Sequence, residues 1–554
     1  MQYGRRLRML RAMKLSHSPA RTRMSRRSAL RALSTALPWA IAPSAAARFG
    51  FSKARAAAPD GAVVRIDPSR PIGRIQPAVH SHFAEHIGGV IYDGIWVGPE
   101  SKIPNVDGIR KDTIDHVRRL GKVAVRWPGG CFADRYHWRD GIGPSERRPR
   151  RFGRWRDDTE TNRFGTREFL RFCKLVGVEP YFAANVGTGT PEEFQQWVEY
   201  VNAPAGSTTL ADERVANGDR EPAAVRYWGV GNESWGCGGK FTPEDYCREY
   251  RRFTEWVPGY GVPLYFIAAG PNGNDTAWTR RFFAKWADYS RAPIQGWAPH
   301  YYCGTTGHAL NFTHDQWYEM LHKANRMEAL INDQWAALGE VDKEHKIKLV
   351  IDEWGAWHPE GTEINRRHLF EQMGCLRDAL VAALTLDTFH RHAEKVDMAN
   401  IAQLVNNLHS LFLADEDKFV ATPTFHVFEL YRPHQGAEAL HLDVETPAVA
   451  FRAGGKEESI FRLAGSASRS GKDLFLTLVH SHVTEPLEVS IRVAGASVSA
   501  ARRTAIHHAA LNAHNTFERP AEVAPVAGDV PAQGTEARIV LEPASISRID
   551  LKLA

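Results

Sequence analysis

Short apolar runs alternate with segments of helical periodicity between about residues 75 and 405. This alternation is typical of repeated strand–helix units, which build a parallel sheet. Eight of the apolar runs are predicted to be strands: Ala78–Phe83, Lys122–Trp127, Glu179–Asn185, Val225–Val230, Pro263–Ala269, Ile294–Pro299, Ile347–Asp352 and Met398–Val405. Eight such units predict an α/β fold in which the strands close into a (β/α)8 barrel, with functional residues at the C-terminal ends of the strands.

Two of the intervening helices have N-termini that can be read from the sequence. Thr190 precedes Pro191 and has Glu193 three residues later, which together predict a capping residue, a first-turn proline and a third-position glutamate. Thr242 begins a similar pattern, with Asp245 in place of the glutamate. Both patterns predict a helix that starts directly after the threonine.

The pattern changes after about residue 415. Leu474–Val479 is a short apolar run, and Leu487–Val493 alternates apolar and polar residues as a half-buried antiparallel strand does. We therefore predict a catalytic barrel at 76–414 and a jelly-roll-like β-sandwich at 415–554. The segment 59–75 is a candidate extra strand of that sandwich, through Ala62–Ile66.

The first 58 residues carry thirteen lysines and arginines and no acidic residue. Ser25–Leu30 contains an Arg-Arg pair that is similar to a twin-arginine export motif, so we expect an export leader and a periplasmic or extracellular protein. Because the whole chain has a net charge of only +6, the remainder is acidic, which argues against a nucleic-acid partner. No later segment has the apolar length of a membrane helix.

The six cysteines have neither zinc-finger nor CxxC spacing, and most are expected to be free, buried thiols. Two glutamates point more directly to chemistry. Glu233 follows the fourth predicted strand and Glu353 the seventh, so a barrel would bring them together at one end. Glycoside hydrolysis needs two carboxyl groups beside the anomeric carbon. Glu233 and Glu353 are therefore the predicted catalytic pair.

Several further motifs occur in order along residues 70–436. They are His82–His86, Arg126–Gly130, Tyr136–Pro144, Asn185–Thr190, Tyr227–Glu233, Val350–Gly355 and Met398–Gln403. This ordered series resembles glycoside hydrolase family 51, whose typical activity is that of an α-L-arabinofuranosidase. The resemblance is weak in the predicted sandwich. Two stretches depart from the family pattern, Gly374-Cys375 and Asn407, and they bear on leaving-group preference more than on reaction class.

The resemblance implies a retaining, exo-acting enzyme in which Glu233 is the general acid/base and Glu353 the nucleophile. It also implies five substrate-binding residues, with Tyr302 hydrogen-bonded to the nucleophile: Glu85, Cys131, Asn232, Tyr302 and Gln403. The expected substrates are arabinose-containing glycans of plant cell walls, with no cofactor and no metal. The resemblance also allows a homo-oligomer.

Three alternatives remain open at this point. His80 and His82 have the His-x-His spacing of metal-dependent barrel hydrolases, and His86 and His300 could complete a zinc site. A non-catalytic sugar-binding protein is a second alternative, although both carboxylates are present. The third keeps the fold and mechanism but cleaves β-glucan or xylan chains internally.

Overall fold

Eight parallel strands close into a barrel in the computed structural model, which describes residues 61–153, 155, 159–289, 292–304 and 306–554. The predicted leader at 1–58 lies outside these residues. In chain order the barrel strands are Ser81–Phe83, Ala124–Trp127, Glu179–Ala184, Tyr227–Val230, Tyr265–Asn272, Gly296–Cys303, Lys348–Ala356 and Val396–Ala402. Each strand overlaps one of the predicted runs, and the (β/α)8 barrel is confirmed.

Strand lengths differ from the prediction in ways that matter for the site. The first strand is short because Pro77–His80 forms a 3-10 turn, for which Pro77 already has the required backbone angle. The sixth and seventh strands run four residues further than predicted. His300 and Glu353 therefore lie within strands rather than after them, where backbone hydrogen bonding fixes their direction.

The helices of the described residues are Lys111–Val117, Thr166–Val176, Pro191–Asn202, Thr209–Ala216, Pro243–Thr254, Thr276–Ala287, His314–Gly339, Leu376–Arg391 and Pro423–Tyr431. Both predicted helix starts are confirmed: the Thr190 hydroxyl accepts from the Glu193 amide at 3.1 Å, and the Thr242 hydroxyl from the Asp245 amide at 3.2 Å. None of the helices in this described part is both long and apolar enough to cross a bilayer.

A ten-stranded sheet forms the second layer of the molecule. Its strands, in spatial order, are Val526–Asp529, Val498–Ile506, Ser545–Leu553, Asp473–His480, Leu463–Ser470, Glu438–Glu445, Gly61–Arg74, Leu487–Val493, Glu536–Leu541 and Ala532–Gln533. Leu476 and Ile549 from one half share a buried cluster with Val489 and Ile539 from the other. The sheet thus folds over on itself as the predicted β-sandwich.

The strand Gly61–Arg74 lies near the middle of this sheet, antiparallel to Glu438–Glu445 and parallel to Leu487–Val493. Glu438 begins the first of the C-terminal strands in the sheet. Before it, the hairpin Phe412–Asp415 and Lys418–Ala421 and the helix Pro423–Tyr431 join the hydrophobic core of the barrel.

The barrel interior is filled by a separate small cluster that includes Tyr181, Tyr265, Ile267, Val350 and Met398. Such filling makes the barrel a packed core rather than a channel. A substrate can therefore approach only from the ends, and the polar residues of the sequence motifs lie at the C-terminal end, here called the mouth. The opposite, N-terminal end is called the base.

Candidate active site

All seven residues predicted from the resemblance lie at the mouth. Tyr302 and Glu353 lie in the C-terminal halves of the sixth and seventh strands, and Gln403 directly follows the eighth. Four lie in the segments after the first, second and fourth strands: Glu85, Cys131, Asn232 and Glu233. The structure thus brings together side chains that are far apart in sequence, because parallel barrel strands end on the same side.

Glu353 is held by a donor on each oxygen. The buried Arg126 guanidinium donates to Oε1 at 2.8 Å, and the Tyr302 hydroxyl donates to Oε2 at 2.9 Å. Burial and the neighbouring Glu233 carboxylate raise the pKa of Glu353, while His300 and Arg126 act against that rise. A Cβ atom at Gly130 would lie 2.4 Å from Glu353 Oε1. Any residue larger than glycine at this position would therefore displace the carboxylate.

Glu233 follows the fourth strand in an uncommon backbone conformation, with φ of +36°. A non-glycine residue in this region carries strain, which often occurs at functional sites. Its Oε1 lies 3.1 Å from His300 Nδ1, which is also 3.5 Å from Glu353 Oε2. One oxygen of each glutamate lies within 4.8 Å of the other. The two carboxyl groups therefore face each other across a single histidine.

His300 joins these glutamates to a third carboxylate. Its Nε2 lies 2.9 Å from Asp352 Oδ1, and the Tyr181 hydroxyl donates to Asp352 Oδ2 at 2.6 Å. Burial alone would lower the pKa of His300, but the carboxylates of Glu353, Asp352 and Glu233 outweigh it and raise that pKa to about 10. His300 is therefore a cation at neutral pH.

Asn232 is fixed from both ends. Its side-chain Oδ1 accepts from Arg126 Nη2 at 2.7 Å, and its backbone amide donates to Asp134 Oδ2 at 3.1 Å. The other oxygen of Asp134 accepts from the amides of Val186 and Gly187. Asp134 thus ties the loop after the third strand to the loop that carries Asn232, and burial raises its pKa to about 7.

Glu85 and Gln403 form a second polar pair at the mouth. The Gln403 amide donates to Glu85 Oε2 at 3.2 Å, and the Phe132 backbone amide donates to Oε1 at 2.8 Å. Burial, followed by the charge of Glu353, raises the pKa of Glu85 to about 7. Asn407 is one of the departures from the family pattern. Its backbone carbonyl accepts from the backbone amide of Gln403 and so helps to position that residue.

Cys131 differs from the sequence-based picture. It forms a disulfide with Cys237, 106 residues later, with the two Cα atoms 5.5 Å apart. Cys131 therefore has no thiol proton to donate to a sugar. The expectation of free, buried thiols is confirmed for four cysteines, Cys173, Cys247, Cys303 and Cys375. Spacing could not reveal the pair, because it joins two different barrel loops.

The histidines of the metal alternative do not meet at the mouth. His80 Nε2 lies 3.0 Å from His390 Nε2, and the His82 ring packs against Phe428. His86 is held by Glu160. Among the described residues, two groups of His, Cys, Asp and Glu have ligand atoms within 4.8 Å, and neither includes His80 or His82. The His-x-His pattern in this chain is thus part of the packing around the first strand.

The sequence analysis missed four residues that shape the site: Asp134, Cys237, His300 as a hydrogen-bond partner of Glu233, and Asp352. Asp352 and His300 could have been found, since each lies beside a predicted site residue in a barrel strand, Asp352 next to Glu353 and His300 two residues before Tyr302. Asp134 and Cys237 lie in loops, and nothing in their local sequence indicates which loop they face.

Together, a closed (β/α)8 barrel and two facing glutamates at its mouth define a glycoside hydrolase of the two-carboxylate class. The chain is similar to the crystal structure of a GH51 arabinofuranosidase from Xanthomonas axonopodis pv. citri, with a TM-score of 0.84, 37% identity, and 89% of this chain and 100% of that one covered. It is 38% identical over 471 residues to the intracellular exo-α-L-arabinofuranosidase of Bacteroides ovatus, covering 83% of this chain and 89% of the relative. The chain belongs to glycoside hydrolase family 51, the α-L-arabinofuranosidases.

Two family models match as well. Residues 116–289 match the α-L-arabinofuranosidase 1 domain, and residues 352–545 match the α-L-arabinofuranosidase C-terminal domain. The second match includes Glu353 and continues through the sandwich, where the motifs alone gave little resemblance.

The prediction of an exported protein is wrong. The Bacteroides ovatus relative is named intracellular, and so is an exo-α-(1→5)-L-arabinofuranosidase of Streptomyces lividans, 30% identical over 509 residues that cover 87% of this chain and 74% of the relative. An Arg-Arg pair carries little information in a segment this rich in arginine, where Arg5-Arg6 is a second such pair. The apolar run that follows is also interrupted by Pro38 and Pro43.

Proposed function

We propose that this chain is a retaining, exo-acting α-L-arabinofuranosidase that removes terminal arabinofuranosyl units from arabinose-containing glycans of plant cell walls. The observation that carries the proposal is the approach of Glu233 and Glu353 to within 4.8 Å, oxygen to oxygen. Retaining enzymes hold their carboxyl groups roughly 5–5.5 Å apart, whereas inverting enzymes leave room for a water between them at about 6.5–9.5 Å. The short separation favours retention.

Glu353 is suited to be the nucleophile because hydrogen-bond donors and a cation favour its ionised form against the rise in pKa that burial causes. Arg126 and Tyr302 donate to its two oxygens, and the cationic His300 lies 3.5 Å away. These donors also hold the carboxylate in one orientation. A nucleophile that is fixed and ionised before substrate arrives needs little rearrangement in the transition state.

Glu233 is suited to be the acid/base because only one of its oxygens has a strong donor. His300 faces Oε1, whereas Oε2 faces the sulfurs of the disulfide. In the first step Glu353 attacks the anomeric carbon, and the bond to the leaving oxygen breaks as Glu233 gives that oxygen its proton. In the second step Glu233 takes a proton from water, which attacks the same carbon and releases Glu353.

The remaining predicted residues are proposed to form a polar rim around one sugar. Asn232, next to Glu233, is proposed to bond the sugar 2-hydroxyl, an interaction that strengthens in the transition state. Glu85 and Gln403, already bonded to each other, are proposed to bind further hydroxyls. Cys131 is proposed to line the same space through its disulfide sulfur.

The first test is an assay on an aryl α-L-arabinofuranoside in the presence of EDTA, with Glu353→Ala as the variant. We expect hydrolysis by the unmodified protein and only background for the variant. Asp397→Asn is the matched control, because Asp397 is a carboxylate in the eighth strand at the base, bonded to Tyr265. Loss of activity in EDTA would contradict the mechanism, and activity on β-glucan alone would contradict the substrate.

The role of Glu233 can be tested separately with substrates that differ in their leaving group. Glu233→Ala should retain much of its glycosylation rate on aryl glycosides with good leaving groups, which need no proton, and lose the reaction with natural oligosaccharides. Linear α-(1→5)-arabino-oligosaccharides and arabinoxylan are the substrates to compare. Equal losses on activated and natural substrates would contradict the acid/base role.

A further inference from the structure

A disulfide lies against the proposed acid/base. Cys237 Sγ is 3.3 Å and Cys131 Sγ is 3.8 Å from Glu233 Oε2. The two-carboxylate reaction has no use for sulfur at this position, and the other four cysteines are buried as free thiols. Two sulfurs and a carboxylate oxygen at one point are, however, a familiar set of metal ligands.

We propose that reduction of the Cys131–Cys237 disulfide creates a binding site for a thiophilic divalent cation, such as Zn²⁺ or Cd²⁺, with Glu233 as the third ligand. The bound cation blocks the Glu233 carboxylate and so inhibits hydrolysis. The inhibition rests on the proposed function of Glu233, whereas the binding of the cation does not.

The distances fit such a site. Tetrahedral zinc with sulfur at about 2.3 Å and carboxylate oxygen at about 2.0 Å places each sulfur roughly 3.5 Å from the oxygen and the sulfurs roughly 3.8 Å from each other. The two observed sulfur–oxygen distances, 3.3 and 3.8 Å, bracket the first value. Only the two sulfurs have to separate once their bond is broken, and the fourth position stays open for water.

The chain holds two of the ligands in a fixed relation. The backbone carbonyl of Glu233 accepts from the amides of Gly236 and Gly238, at 2.7 and 3.1 Å. This tight turn places Cys237 back over the side chain of Glu233. Cys237 is half-buried, so its sulfur can be reached from the mouth, while Cys131 lies deeper.

The surroundings favour an added cation. Three more carboxylates share the mouth, those of Glu85, Asp352 and Glu353, against the two cations Arg126 and His300. His300 faces the Glu233 oxygen that is turned away from the sulfurs. A hydrogen bond to the free oxygen of a ligating carboxylate is a common means of orienting it.

Reduction of the disulfide requires no group of the protein other than the two cysteines. An external phosphine supplies two electrons and becomes its oxide, water supplies the oxygen and two protons, and Cys131 and Cys237 are left as thiols. The cation then binds the two sulfurs and the Glu233 carboxylate and releases the two thiol protons, together with the proton that Glu233 carries as the general acid. Reoxidation after removal of the cation restores the disulfide.

The test uses one protein in two states. The chain is reduced with a phosphine, desalted and titrated with Cd²⁺, with the oxidised chain titrated in parallel. We expect one Cd²⁺ per reduced chain, a thiolate-to-cadmium charge-transfer absorption, and loss of arabinofuranosidase activity that a chelator reverses. Cys131→Ser and Cys237→Ser should each weaken binding by more than about 100-fold, since even outer partners of a metal site are worth 10- to 100-fold.

Cys173→Ser is the matched control, because Cys173 is a free thiol buried in the helix Thr166–Val176 and away from the mouth. Its titration should match that of the reduced unmodified chain. The proposal is overturned if the reduced chain gives no cadmium–thiolate absorption, if Cys237→Ser binds as well as the unmodified chain, or if binding leaves activity unchanged. Inactivity of the oxidised, metal-free protein would instead contradict the proposed function.

Discussion

At the mouth of the barrel His300 lies among carboxylates, whereas at the base His80 lies against another histidine, His390. Burial lowers the pKa of His80 to about 4. Burial acts on His300 in the same direction, but the carboxylates outweigh it and raise its pKa to about 10. The same side chain is therefore charged at one end of the barrel and neutral at the other.

The buried histidines at the base are polar without being charged. His390 Nδ1 lies 2.9 Å from the Ser466 hydroxyl and His434 Nδ1 lies 2.8 Å from the Ser468 hydroxyl, both from the sandwich. The rings of His390 and His434 also lie close together in a tilted arrangement, with centroids 4.7 Å apart. These histidines thus join the two layers of the molecule through neutral hydrogen bonds, whereas His300 is ionised among the carboxylates of the mouth. Four changes test this contrast.

The largest effect is expected from Arg126→Met at the mouth. Arg126 compensates the buried carboxylates of Asp352 and Glu353, and removal of one partner of a buried ion pair costs about 3–5 kcal/mol in free energy of unfolding. Activity should fall to background, because the nucleophile also loses its donor. Denaturant unfolding and the aryl glycoside assay measure the two effects. Arg148→Met is the control, because it breaks a buried ion pair with Glu168 and should destabilise the fold but leave turnover per folded molecule unchanged. If turnover fell equally in both variants, the special role of charge at the mouth would be contradicted.

Gly130→Ala should act on the mouth with less effect on stability. The new Cβ would lie 2.4 Å from Glu353 Oε1 and displace it from Arg126. A displacement of about 1 Å in a catalytic group lowers kcat/KM by about 100-fold. Steady-state kinetics gives the result. Gly528→Ala, in a sandwich strand with open space around it, should leave kcat/KM unchanged. Full activity of the Gly130 variant would mean that the nucleophile is less confined than the structure implies.

The buried His80 at the base should lower the free energy of unfolding at acidic pH. His80 is neutral when folded, and it takes up a proton near its ordinary pKa of 6.5 when unfolded. Stability is therefore fully present above pH 6.5 and falls as the pH drops toward the folded-state pKa near 4. At pH 5 this loss amounts to about 2 kcal/mol for His80 alone.

His80→Leu tests this sign. When the pH is lowered from 7 to 5, the free energy of unfolding should fall by about 2 kcal/mol less in the variant than in the unmodified protein. His314→Gln, at an exposed histidine, should follow the unmodified protein. Chemical denaturation at the two pH values provides the comparison, and parallel pH curves for His80→Leu and the unmodified protein would show that the base does not titrate in this way.

The smallest effect is expected from Asp397→Asn. This carboxylate accepts one hydrogen bond from Tyr265 at 3.0 Å, and asparagine can still accept it. The free energy of unfolding should change by no more than about 0.5–1 kcal/mol, and kcat/KM should not change. A large loss of activity, measured alongside the mouth variants, would show that charge at the base matters to the reaction.

The sequence predicts the barrel well because each strand is a compact apolar run, and strands such as Tyr227–Val230 begin within two residues of the predicted position. It also predicts the meeting of Glu233 and Glu353, since parallel strands must end on one side. Loop contacts are different. The Cys131–Cys237 bond and the Asp134–Asn232 hydrogen bond depend on how two loops face each other, and no local pattern carries that information.

Local reasoning also left some isolated patterns open or placed their ends too early. His80 and His82 have the spacing of metal ligands, yet the turn Pro77–His80 and the short first strand direct them into packing contacts. The seventh strand continues past Glu353 to Ala356 because Trp354 and Ala356 pair with neighbouring strands. In both cases tertiary pairing, rather than residue preference, decided the outcome.

The strand Gly61–Arg74 occupies the middle of the ten-stranded sheet, between strands that the chain reaches only after the entire barrel. During synthesis, more than 360 further residues must therefore be added after this strand before its first neighbour, Glu438–Glu445, has been made. Pairings between such distant segments form slowly, and an unpaired strand is prone to join other chains. Removal of Gly61–Arg74 would divide the sheet at its centre and expose two new edges, although this strand contributes no side chain to the site.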